Sequence, residues 1–309
     1  MTAAVVFAYH NVGARGLEIL LKHGIDVRLL VTHTDNPNEI IWFDSVADIA
    51  AQHGIPFDTP DDPNTAEFIA RVAALKPDFI FSFYYRMILK PALLTIPKRG
   101  AFNMHGSLLP KYRGRVPINW AIIKGETETG ATLHEMVAKP DAGRIVDQES
   151  VPILPDETAQ EVFEKVTRAA AEVLDRALPH LIDGTATLRE QNLAEGSYYG
   201  GRKPADGVIN WLDSAQTTHN LIRAVAPPYP GAFTQVCGLD VKVTRTRLAP
   251  PHFQHHNPGM LNVGSDAVIA LCGDGRMLRI IESEIDGQPY NEVMLAARLG
   301  IGVFPLGGP

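Results

Sequence analysis

The chain has 309 residues, 45% of them hydrophobic and 20% charged, with a formal net charge of −7. That length predicts about two domains, at ~150 residues each. The acidic balance argues against a nucleic-acid binder held by bulk electrostatics. The two cysteines, Cys237 and Cys272, make neither a disulfide framework nor a zinc site, and a reducing cytoplasm is the simplest setting for them. The opening MTAAVVFAYHNVGARG lacks the basic start and long apolar core of a signal peptide. No stretch reaches the roughly 18 apolar residues expected of a membrane span.

The run 3–10 (AAVVFAYH) predicts a strand followed by a glycine-containing loop. Helical spacing follows over 15–24, a strand over 26–34, and a helix over 45–54 with Ser45 as N-cap and Gly54 as stop. A helix over 65–77, a strand over 78–85 and a strand over 100–105 complete an alternation that marks parallel βαβ units. The strands are nearly continuous apolar runs, as expected where helices cover both faces of a sheet. A helix from Pro117 and strands near 129–137 and 143–153 come next. A long amphipathic helix over 158–184 follows, its start marked by the capping-box spacing of Thr158 and Glu161. The polar, glycine-rich segment 192–207 reads as a linker. Beyond it, a helix over 214–226 and five short strands ending near 285 predict a small β barrel or sandwich, with 302–309 a loose tail.

In open α/β sheets, ligands bind beyond the carboxyl ends of the strands. Three stretches meet that condition: FAYHNVG after the first strand, FSFYYRMIL after the 78–85 strand, and the end of GAFNMH. In the last, period-two geometry sets Asn103 and His105 on one face. A carboxamide can hydrogen-bond an oxyanion and an imidazole can move a proton, a pairing suited to acyl-type transfer. With equal weight, His105 caps the strand and Asn103 satisfies loop backbone. Ser107 lies in no recognised nucleophile context and reads as a turn residue, so direct attack by a substrate amine is favoured over a covalent acyl-enzyme.

Other motifs are weaker. VGARG lacks the full G-x-G-x-x-G. HFQHH (252–256) reads as a solvated loop rather than a metal tract. His134 and Glu135 point to opposite faces of a strand, and Cys237 and Cys272 read as small core residues. KYRGR (111–115) carries three cations that either meet an anionic ligand or face solvent.

The ordered combination of Asn103-x-His105, Ser107-Leu108-Leu109-Pro110, Gly114-Arg115-Val116-Pro117 and Asp141-Ala142-Gly143 resembles the formyltransferases that use 10-formyltetrahydrofolate. From the first strand to about residue 280, with THTDNP, FSFYYR, KGETETG and RAVAPPYPGAF among the shared stretches, the chain is most similar to one branch of that family. The branch it resembles is the formyltransferase half of a bifunctional polymyxin-resistance enzyme, which acts in lipid A modification. The resemblance carries formyl transfer and no decarboxylation. It implies a Rossmann-like α/β catalytic domain over 1–191, a linker over 192–207 and an OB-like β domain over 208–309. It implies 10-formyltetrahydrofolate as co-substrate, no metal, and a UDP-amino sugar, UDP-4-amino-4-deoxy-L-arabinose, as acceptor. Asn103 is then the oxyanion donor, His105 the oxyanion stabiliser or proton donor, and Asp141 the negative charge that favours imidazolium at His105. Arg86, Met87, Ile88, Arg115, Val137, Ala138, Lys139, Pro140 and Asp141 line the folate site. The competing readings are methionyl-tRNA formyltransferase, which would want a basic surface for tRNA phosphates, a formyltransferase for another nucleotide-linked amino sugar, and a folate-binding scaffold without activity.

Overall fold

Strand β1 (Ala3–Ala8) is apolar and buried at every position, and helix α1 (His10–Lys22) begins directly after it. The computed structural model describes residues 1–37, 39–250 and 257–307. The loop expected after the first strand is the first turn of α1. Val12, Gly13, Ala14, Gly16, Leu17 and Leu20 form one buried face there, and their helical spacing outweighs the two glycines. The alternation continues through β2 (Asp26–Val31), α2 (Val46–Gln52), β3 (Phe57–Asp58), α3 (Ala66–Ala74), β4 (Phe79–Phe83), α4 (Pro91–Leu94) and β5 (Ala101–His105). Ser45 and Thr65 accept from the backbone N–H of Asp48 and Phe68, each satisfying one orphan donor of a helix start. Then come β6 (Arg113–Gly114), α5 (Pro117–Ile123), β7 (Glu128–Glu135), β8 (Ile145–Pro152), α6 (Ala159–Asp183) and β9 (Tyr198–Tyr199). The capping box forms as read: Thr158 N–H donates to Glu161 Oε2 at 2.6 Å, and Glu161 N–H to Thr158 Oγ1 at 3.4 Å.

The main sheet runs β3-β2-β1-β4-β5-β7-β8. It is parallel from β3 to β5, and β7 joins β5 antiparallel. The strand order reverses between β1 and β4, the position where doubly wound sheets open a crevice for ligands. This is the Rossmann-like unit. Helix α1 lies so close to β4 that a Cβ on Gly16 would sit 2.5 Å from the Phe83 ring.

The second architecture is an antiparallel barrel. Helix α7 (Ala215–Val225) precedes β10 (Ala232–Val236), β11 (Leu239–Leu248), β12 (Met260–Val263), β13 (Val268–Leu271), β14 (Met277–Ile285), β15 (Gln288–Asn291), α8 (Glu292–Leu299) and β16 (Gly302–Gly307). The strand order is β11-β10-β16-β12-β13-β14-β15, and a β11–β14 pairing closes the sheet on itself. Alternate residues such as Val241, Val243, Leu261, Val263, Leu278 and Ile280 fill its interior. Two expectations are corrected here, and one helix is added. The segment read as a loose tail is β16, hydrogen-bonded between β10 and β12. Cys272 is a core residue as read, but Cys237 is exposed. It occupies the two-residue turn between β10 and β11, where Cys237 and Gly238 have φ of 52° and 74°, the left-handed pair that a tight hairpin requires. Glu292–Leu299, not anticipated, is a helix capped by Asn291. HFQHH lies outside the described residues.

The segment 192–207 is not a bare linker. Tyr198 and Tyr199 pair in parallel with Arg113 and Gly114, and Ser197 Oγ accepts from Tyr112 N–H. The chain forms two compact units: Met1–Pro117 with Thr129–Val151 and Glu164–Gly200, and Ile118–Glu128 with Pro152–Phe163 and Gly201–Pro309. Within the second unit, buried Asn119 donates to Ala224 O, and buried Arg223 donates to the carbonyls of Leu154 and Glu157. Among the described residues, no helix is long and apolar enough to cross a membrane.

Gly16→Val inserts branched carbon into a contact already closed by an aromatic ring. It should lower unfolding stability by ~1–3 kcal/mol, read as a lower urea midpoint at unchanged slope. An unchanged midpoint would show that α1 can shift off β4 at no cost.

Candidate active site

The antiparallel pairing of β5 and β7 sets Asn103 directly opposite His134, and His105 opposite Thr132. On its other side Asn103 faces Ser82 of β4. Asn103 Nδ2 lies 3.1 Å from His134 Nε2, and His134 Nδ1 lies 2.9 Å from the carbonyl of Glu135. His105 is buried, with Nε2 2.8 Å from the carbonyl of Tyr112. A carbonyl only accepts, so that nitrogen carries a proton, and Nδ1 is the ring atom free to exchange one. Ser107 is a turn residue, as read. Its hydroxyl donates to Lys111 O, and its carbonyl accepts from Thr132 Oγ1.

Asp141 completes the cluster from the loop after β7. Its Oδ1 lies 3.6 Å from His105 Nδ1 and 3.5 Å from His134 Nε2, and its Oδ2 accepts from Gly114 N–H at 2.8 Å. The loop is held from below: Gln191 Nε2 donates to the carbonyls of Asp141 and Gly143. Gly114, with φ of 100°, sits where a Cβ would collide with the carbonyl of Tyr199. Burial by itself would raise the Asp141 carboxyl. The His105 charge first, and the Gly114 N–H with it, work against that burial, and the group stands well below the ordinary carboxylate range. Asp141 has φ of 53°, and Tyr112 and Val116 on the neighbouring loop are also left-handed, at 57° and 48°. Non-glycine residues in that region cost free energy and gather at functional sites.

The structure thus brings together Asn103, His105 and Asp141, and adds His134, which the sequence reading set aside. Opposite faces for His134 and Glu135 exclude a pair between those two side chains. They do not exclude a pair across to Asn103. The period-two set Thr132 and His134 was the available signal, but the strand facing it was not legible.

The loop residues read as a cofactor site divide. Ile88 and Val137 expose apolar side chains, as does Val116 between them in sequence. Arg115, Ala138 and Lys139 are exposed, and Arg115 has no side-chain partner among the described residues. Met87 accepts a weak hydrogen bond from the Tyr85 hydroxyl. Arg86 is committed elsewhere: its guanidinium forms two hydrogen bonds to Glu39, stacks 4.7 Å over the Tyr9 ring, and its N–H donates to His33 Nε2. Around it, His33 stacks on Tyr85, His10 on Phe43, and the Tyr9 hydroxyl donates to Asp35. Burial, then the Arg86 charge, pushes His10 down to about 3 and His33 to about 4, so both rings are neutral.

A family model described as formyl transferase matches residues 14–178, and one described as formyl transferase, C-terminal domain, matches 202–293. The fold is similar to that of WlaRD, a sugar 3N-formyl transferase solved in the presence of dTDP and 5-N-formyl-THF. Identity is 19%, the TM-score 0.71, and the match covers 93% of this chain and 99% of that one. It is also similar to the N-formyltransferase from Helicobacter canadensis in complex with folinic acid and dTDP-3-aminofucose, at 21% identity and a TM-score of 0.70, covering 94% and 100%. A 4-N formyltransferase from Francisella tularensis matches at 19% identity and a TM-score of 0.62, over 75% of this chain and 91% of that one.

A carboxyl depressed by folding stabilises the native state fully above its unfolded value, near pH ~4, and loses that contribution as pH falls toward its folded value. The stability advantage of the wild type over Asp141→Asn should therefore shrink between pH 5 and pH 2.5, read by urea unfolding. A difference constant with pH would show that the folded carboxyl is not depressed.

Proposed function

The chain belongs to the formyl transferase family, and we propose that it moves a formyl group from 10-formyltetrahydrofolate to the amine of a nucleotide-linked amino sugar, UDP-4-amino-4-deoxy-L-arabinose. The observation that carries this reading is the cluster of Asn103, His105, His134 and Asp141 at the carboxyl end of β5, inside the matched family domain. Sugar N-formyltransferases of the same fold, holding dTDP or a dTDP-sugar, support a sugar acceptor. The stretches shared with the polymyxin-resistance branch support UDP-4-amino-4-deoxy-L-arabinose in particular. The net charge of −7 weighs against tRNA, which asks for many phosphate contacts.

Exposed side chains on these loops support the co-substrate reading. Ile88, Val116 and Val137 each expose an apolar side chain, which supports contact with a flat ring system, and Arg115, with no side-chain partner among the described residues, supports contact with a carboxylate tail. The Arg86 guanidinium is paired with Glu39 and lies on the Tyr9 ring, which supports a role for the backbone of 86–88 rather than for that side chain. When bound, 10-formyltetrahydrofolate supplies the formyl carbon on its N10. The neutral sugar amine attacks that carbon, the new C–N bond forms, and charge collects on the formyl oxygen. Asn103 Nδ2 has one N–H on His134 and offers the second to that oxygen. The C–N10 bond then breaks. N10 leaves with a proton while the amine nitrogen gives one up, and His105 Nδ1 is the group placed to carry it. Asp141, kept ionised, balances the positive charge that His105 acquires on the way.

Asn103→Ala removes the one side-chain amide aimed at the oxyanion and should lower kcat by ~10²–10³-fold, about 2.7–4 kcal/mol, with the fold intact. The acceptor is tested by kcat/KM for UDP-4-amino-4-deoxy-L-arabinose, a dTDP-4-amino sugar and methionyl-tRNA in one buffer. The UDP-sugar should lead, with weak salt dependence and a fall at low pH where the amine is protonated. Preference for the dTDP-sugar would move the acceptor within the class, and parity or better for methionyl-tRNA would overturn the sugar reading.

A further inference from the structure

We infer that His134 is a positioning residue that aims the Asn103 carboxamide, and that it does so through a fixed tautomer with its proton on Nδ1. The inference deepens the formyl-transfer reading and rests on it for the kinetic part. His134 is 1% exposed, so its polar atoms must be satisfied within the protein. Nδ1 lies 2.9 Å from the carbonyl oxygen of Glu135, which can only accept. Nδ1 therefore carries a proton. In the neutral ring, Nε2 is then a lone pair, and the atom 3.1 Å away is the amide nitrogen of Asn103, a donor. The contacts agree with one another: backbone fixes the tautomer, and the tautomer fixes the amide.

The alternative places a second proton on Nε2, pointing toward Asp141 Oδ1 at 3.5 Å. The amide would then have to turn by half a rotation and present Oδ1 to His134. The ends of Asn103 would exchange places, and the end meeting the formyl oxygen would change with them. His134 is the only side-chain partner of Asn103 among the described residues. The last torsion of asparagine is soft and roughly two-fold, so without that bond nothing selects between the orientations. In one of them an oxygen faces the developing oxyanion and repels it. Removing the acceptor should thus act on the transition state and leave substrate binding largely alone.

The test has two arms. In the first, 15N NMR of the unliganded wild type should show His134 protonated on Nδ1 only, with the Asn103 side-chain amide resolved and slow to exchange. In His134→Phe that amide should become fast-exchanging. A proton on Nε2 in the wild type overturns the inference, whatever the acceptor proves to be. The second arm is kinetic. His134→Phe should lower kcat by ~10–100-fold, part of what an oxyanion donor supplies, with both KM values within about twofold. His134→Gln, which restores an acceptor oxygen, should recover most of the loss. In an Asn103→Ala background, His134→Phe should cost almost nothing further. Full kcat in His134→Phe, or an equal loss with and without Asn103, overturns the positioning role. Activity absent in the wild type on every amino sugar, with the Nδ1 tautomer intact, counts against the formyl-transfer reading and leaves the tautomer standing.

Discussion

Everything at this site turns on keeping one largely buried carboxylate charged. Asp141 is drawn largely out of water, which opposes ionisation, and is held ionised by the His105 imidazole and a backbone N–H. Neither partner belongs to its own loop: His105 comes from β5 and Gly114 from β6. The parts then depend on one another. Gly114 can approach only because it has no Cβ to meet the Tyr199 carbonyl, and Tyr199 is present only because β9 pairs with β6. The left-handed backbone at Asp141 is supported by Gln191, which bonds two carbonyls of the same loop. A short loop thus carries a strained residue because hydrogen bonds from two distant stretches of chain over-determine its conformation.

The reversal of direction at β7 is the second constraint. In a wholly parallel sheet, the residue beside Asn103 would come from a strand reached through a long crossover. An antiparallel partner brings back the same face at a definite register, so Asn103 meets His134 and His105 meets Thr132. Thr132 uses its contact structurally, accepting from Leu109 N–H and from Gln148 Nε2 while donating to Ser107 O. That fastens the loop carrying Lys111 and Tyr112, and the Tyr112 carbonyl in turn fixes the proton on His105 Nε2. The tautomers of both histidines are therefore set by main-chain carbonyls, the least adjustable acceptors in the site.

Much of this was legible in the sequence where the signal is local. The βα alternation, the caps at Ser45 and Thr65 and the capping box at Thr158 and Glu161 each depend on residues three or four apart. Asn103 and His105 announced themselves as polar residues ending an apolar strand, and Asp141 by the motif it shares with a known family. What escaped was pairing at long range. His134 acquires meaning only from the register of β7 on β5. The last strand, 302–307, lacks an apolar alternation strong enough to stand out from a tail and is fixed by its neighbours in the barrel. The short segments 118–128 and 152–163 read as parts of the first domain by position in the chain. Their buried contacts, through Asn119 and to Arg223, group them with the second unit.

Arg86 shows why a motif position and a functional group must be kept apart. It stands in the stretch read as lining the cofactor, and a cation there would ordinarily be offered to an anionic ligand. Its guanidinium instead faces Glu39 in a two-pronged contact and lies on the Tyr9 ring, while its N–H binds His33. Those partners come from the loop after β2 and from the end of β1, so the arginine ties together the loops at the switch point of the sheet. Its charge also keeps His10 and His33 neutral, adding to the effect of their burial. The crevice therefore has two electrostatic halves within one unit. Beside β5, a carboxylate faces two imidazoles and proton transfer is possible. Beside β1, aromatic rings and two neutral imidazoles lie around the Arg86–Glu39 ion pair, and the surface there is made of stacked rings rather than free charge.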